Sequence, residues 1–164
     1  MDLKTARQLY QGAVDFAKTW LDVLAKGDLR TANSMVYQTK EYTWTPKLLQ
    51  VVIGSYGSSS DPKDDTGHKI TPLSKTLGPP PAAAGREEEE VVIVDGYEYC
   101  FYHPSLPIAV GIRDADETGP KTLVGSLEIR SLPLDDEWSD LSAVFFMHQI
   151  DGKIAYELQR IEVM

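Results

Sequence analysis

The dipeptide Asp151-Gly152, set between two apolar-rich runs of strand length, constrains this chain more than any other feature. Both positions tolerate φ > 0, as a two-residue type I′ turn requires. The flanking runs, Leu141 to Ile150 and Ile154 to Val163, are then expected to pair as a β-hairpin at the C-terminal end. In the second run the apolar phase shifts from Ile154, Tyr156 and Leu158 to Ile161 and Val163, which predicts a bulge near Gln159-Arg160. A strand that changes phase belongs to a bent sheet.

The helical signals lie at the other end. Leu3, Ala6, Tyr10, Ala13, Ala17, Trp20, Leu21 and Leu24 recur at the helical period, and Gly27 is a natural stop. Asp28 can cap a short second helix over about 29–36, and Thr45-Pro46 starts a third that runs to about Tyr56. From Gly57 to Glu90 the pattern collapses into serines, prolines, alanines and the acidic run Glu87 to Glu90. A mobile insertion is expected at 57–90, with a short strand between His68 and Leu77. After it the period becomes two, over Val91 to Tyr102 (with a bulge at Gly96), Ile108 to Ile112, and Leu123 to Arg130, where Leu123, Leu127 and Ile129 form the apolar face.

Helices followed by strands make an α+β design: N-terminal helices packed on a curved antiparallel sheet, in one domain over 1–164. Bulged strands curl, and a curled sheet closed by a long helix forms a cone with an apolar interior. The net charge of −9 argues against contact with nucleic acid or anionic lipid and suits a partner with a basic surface. No run is long and apolar enough to span a membrane, and the first residues lack the apolar core of a signal peptide, so the cytoplasm is the expected location. Cys100 is the only cysteine, which excludes an intrachain disulfide. The histidines His68, His103 and His148 are too scattered to suggest a metal site, and no cofactor is expected. Asp114 to Gly119 has the look of a calcium loop, but Gly125 stands where a bidentate glutamate is needed, so an exposed turn is the simpler reading.

Two segments carry a resemblance. Ala17 to Ala32, with its Gly27-Asp28 break, and Leu132 to Met164, with Leu132-Pro133-Leu134 and Ser139-Asp140-Leu141-Ser142, together resemble the nuclear transport factor 2-like (cystatin-like cone) superfamily, and within it a bacterial group ending in Asp-Ile-His-Val plus one apolar residue. Here Arg160 replaces that aspartate and Glu162 the histidine, so no role transfers at those positions.

The resemblance implies a cone, often dimeric through its sheet face, and admits two kinds of function. One is a non-enzymatic binding or interaction module, in one version an immunity protein that neutralises a toxin. The other is an isomerase or dehydratase with Asp95 or His148 as general base and a tyrosine as oxyanion donor, after the superfamily's ketosteroid isomerases. Tyr97, Tyr99, His103 and Glu128 complete that polar inventory. Trp20, Trp44, Tyr56, Tyr99 and Phe101 are the aromatic residues expected to line a hollow for a small apolar ligand, if side chains do not fill it.

Overall fold

The computed structural model describes residues 1–39, 43–75, 77–80, 97–113 and 122–163. Helix α1, Leu3–Ala25, begins where the Asp2 carboxylate accepts the Thr5 amide at 2.7 Å. It ends in a Schellman motif: Gly27 (φ 76°) donates to Leu24 O at 2.9 Å and Asp28 to Val23 O at 3.2 Å. Asp28 then caps α2, Leu29–Ser34, through the Thr31 amide. The Thr45 hydroxyl caps α3, Pro46–Gly54, through the Leu48 amide at 3.0 Å. Both shorter helices stop about two residues before the apolar pattern does. At α3 the reason is Tyr56, which turns left-handed (φ 58°) ahead of Gly57 (φ 70°).

The strands are β1 (Tyr99–Tyr102), β2 (Ile108–Ile112), β3 (Leu123–Ile129), β4 (Pro133–Leu134), β5 (Glu137–Trp138), β6 (Leu141–Ile150) and β7 (Lys153–Val163). Five form one antiparallel sheet in the order β1-β2-β3-β6-β7, while β4 and β5 pair separately. Strands β6 and β7 join through Asp151 (φ 52°) and Gly152 (φ 75°), with Ile150 opposite Lys153. Register then slips where Val144 faces Arg160 and Phe145 faces Leu158, leaving Gln159 as the extra residue. The phase change in the sequence marks this bulge. Val163, expected inward, is exposed. A second slip between Leu123 and Gly125 buries Val124 and leaves Leu123 half-buried, reversing the expected faces at the start of β3.

One face of the sheet carries a row across all five strands: Phe101, Val110, Leu127, Phe145 and Leu158, each at most 1% exposed. Helix α1 lies against it. Tyr10 stacks on Phe101 at 4.9 Å, and Trp20 and Phe16 meet the Phe145 ring edge-on at 5.0 and 5.3 Å. The edge strand β7 is covered where Tyr37 N donates to Tyr156 O and Trp44 Nε1 to Leu158 O.

Within the stretch expected as an insertion, residues 61–71 follow the body closely. Pro62–Asp64 form a 3₁₀ turn, Thr66 and His68 donate to Gly54 O, and Thr71 N donates to Pro133 O. Ile70 bridges Leu134, the single strand-like pairing there, and Ile70 and Thr71 are buried. Residues 81–90, Val91 to Gly96 and the segment Asp114 to Gly119 lie outside the described residues.

Candidate functional site

Four non-glycine residues among those described have positive φ, and three of them meet at one end of the molecule: Tyr56 (58°), Asp135 (50°) and Asp136 (70°). Asp135-Asp136 is the two-residue turn between β4 and β5, with Leu134 opposite Glu137. Such conformations are strained by about 1 kcal/mol or more and persist where neighbours hold them. Here the neighbours are specific. The Asp135 carboxylate hydrogen-bonds His68 Nδ1 through one oxygen and accepts the Lys69 amide, at 3.1 Å, on the other. Asp136 pairs with Lys75 Nζ at 2.7 Å, and its amide donates to Thr71 Oγ1 at 2.7 Å. The Tyr56 hydroxyl donates to Asp140, and its ring lies edge-on to His68 at 5.3 Å.

These bonds set the electrostatics. Hydrogen bonding by His68, helped by the Lys69 amide, holds the Asp135 carboxyl below its ordinary value. The Asp140 carboxylate, then burial, holds the Tyr56 phenol above its own. Residues 61–75 and 135–140 contribute Asp61, Asp64, Asp65, Asp135, Asp136, Glu137 and Asp140 against Lys63, Lys69 and Lys75. This end is acidic, and its carboxylates are aimed by the fold. Behind it, between the end of α1, α3 and residues 68–70, runs a groove of about 380 Å³.

The residues singled out from the sequence are dispersed. Asp95 lies outside the described residues. Trp20 and Phe101 are fully buried in the helix–sheet contact, and Trp44 is 7% exposed at the β7 edge. Tyr99 donates to Met1 O at 3.1 Å at the start of α1. Tyr56 belongs to the acidic end, against His68 and Asp140. None of the five lines the groove.

His148 is 6% exposed on the opposite face of the sheet from α1. Its Nδ1 contacts Thr122 Oγ1 at 3.0 Å and its Nε2 contacts Glu157 Oε1 at 3.3 Å, and Gln159 donates to the same glutamate oxygen at 2.5 Å. Both ring nitrogens are therefore occupied. His103 Nδ1 accepts the amides of Ser105 and Leu106 and closes a turn; burial, then Lys18, lowers its pKa. Tyr97 lies over Gly111, while Arg130 faces Glu128 at 3.7 Å and the Tyr102 ring at 5.1 Å.

Asp135-Asp136 could have been read from the sequence as a turn before Glu137-Trp138. His68 could not have been joined to it, because the pair is 67 residues apart and His68 sits in a stretch without periodicity. Among the described residues no group of three or more His, Cys, Asp or Glu is placed to hold a metal ion, and no helix is long and apolar enough to cross a membrane. Comparison of the chain with protein-family models, with curated proteins and with solved structures finds no match.

Proposed function

We infer that the chain is a non-enzymatic interaction module, a nuclear transport factor 2-like cone with a filled interior, and that its acidic end docks on a partner with a basic surface. The observation that carries the reading is the fixed presentation of carboxylates there: Asp135, Asp136 and Asp140 are each held by a named donor, the first two of them on strained backbone. Preorganised charge favours fast, selective encounter with a complementary surface. Neutralisation of a basic toxin is one form such docking takes.

An isomerase or dehydratase needs an open, apolar reaction chamber and a base with a free lone pair. Of the rings that would line the chamber, Phe101 packs on Tyr10 and Trp20 on Phe145, and His148 already contacts Thr122 and Glu157. Both facts favour docking over catalysis.

The test is capture from native lysate on the immobilised chain at low and at high salt. A fourfold variant serves as comparison: Asp61→Asn, Asp64→Asn, Asp136→Asn and Glu137→Gln. A basic protein should be retained at low salt, lost at high salt, and lost at low salt by the variant. Retention of the same proteins by both chains would overturn the reading.

A further inference from the structure

The groove behind the acidic end has the opposite electrostatic character. Its lining includes Lys26, His68 and Lys69 and no acid. In a chain with 25 acidic and 16 basic residues, that is a local inversion. Lys26 is paired with Asp22 at 3.0 Å, and His68 is held through Nδ1 by Asp135. Lys69 has neither an ion pair nor a side-chain hydrogen bond among the described residues, and its exposed ammonium is open to a ligand. Because Nδ1 is anchored on the Asp135 side, the other edge of the His68 ring is turned away from that carboxylate. Leu24, Leu29, Ile53 and Ile70 supply an apolar wall.

We propose that this groove is a binding site for a small amphipathic carboxylate, its apolar chain against Ile53, Ile70, Leu24 and Leu29 and its carboxylate on Lys69. A space of about 380 Å³ is within the range of small-molecule sites. The carboxylate compensates Lys69 and accepts charge-assisted hydrogen bonds, which are stronger than neutral ones. The apolar chain displaces water from the wall.

Octanoate and 1-octanol separate the two contributions, since they share a chain and differ in charge. Titrating each into the full chain while following the methyl resonances of Leu24, Leu29, Ile53 and Ile70 gives both affinities. Octanoate should saturate these shifts with a Kd at least about tenfold below that of octanol. In Lys69→Gln, whose side chain is exposed and whose fold should be unchanged by circular dichroism, the two should converge to within about threefold. Equal affinities in the native chain would mean apolar packing alone and would overturn the proposal. So would an octanoate affinity unchanged by Lys69→Gln, or no saturable shift of the groove methyls with either probe. The fourfold acidic variant keeps every lining residue, so failure of partner docking and failure of carboxylate binding are read independently.

Discussion

Tyr56 shows how much one residue can carry. It ends α3 in a left-handed conformation, lays its ring against His68 and donates its hydroxyl to Asp140. Tyr56→Phe keeps the ring and removes the bond, so it should destabilise the fold by about 0.5–1 kcal/mol in urea titration, the low end for a partly exposed hydrogen bond. Asp135 makes a pH prediction. Its pKa is lowered chiefly by the His68 hydrogen bond, so the charged form is favoured by folding. Its contribution is therefore present above the unfolded carboxylate value and is withdrawn as pH falls through the lower folded value. Carboxyl NMR should find Asp135 titrating below an ordinary aspartate, and His68→Asn should move it back up. An Asp135 carboxyl unaffected by that change would remove His68 as the cause. Neither pair is legible in sequence, because each joins residues dozens of positions apart through backbone that follows no period.

At the scale of elements the sequence is more informative. Asp28 and Thr45 each cap the helix expected of them, because a capping side chain bonds its own next turn and needs no distant partner; Asp2 caps α1 in the same way. The bulge at Gln159 was visible as a phase change in β7. The slip in β3 was not, since it arises between strands: a Cβ on Gly125 would stand 2.3 Å from Gly111 O. Gly125→Ala should therefore cost about 2–3 kcal/mol by thermal or denaturant unfolding, as overpacking does. Gly12 is the contrary case, an exposed glycine inside α1 whose added Cβ would meet only the Tyr156 hydroxyl, at 3.7 Å. Gly12→Ala should stabilise by about 0.5–1 kcal/mol. Tyr156 itself stacks on Phe16 at 4.0 Å, and burial, then Asp15, pushes its phenol up to about 12. Folding thus favours the neutral phenol. Stability from this residue is complete below the unfolded value near 10 and declines as pH rises toward 12, by an amount on the order of 2–3 kcal/mol. In an absorbance titration, Tyr156→Phe should lack the tyrosine that titrates near 12 in the native chain.

For the whole molecule the decisive contrast is between an apolar helix–sheet core and an acidic surface. The helix–sheet core is filled by Trp20, Phe101, Phe145 and their neighbours, and the periods of α1 and the strands announced which residues would fill it. What composition announced was only a net charge of −9; where that charge gathers depends on residues 61–75 returning to the β4–β5 turn, a path no local pattern specifies. Seven carboxylates at one end repel one another more than three lysines offset, and the ion pairs there, such as Lys75–Asp136, are exposed and individually weak. Screening should therefore remove more repulsion than attraction. Raising sodium chloride from about 0.01 M to about 0.3 M, which shortens the Debye length from about 30 Å to well under 10 Å, should raise the Tm by a few degrees. The fourfold acidic variant should begin with the higher Tm and gain less from salt. If instead salt lowered the native Tm, attraction would dominate at this end, and its carboxylates would be committed to internal pairs rather than available to a basic partner.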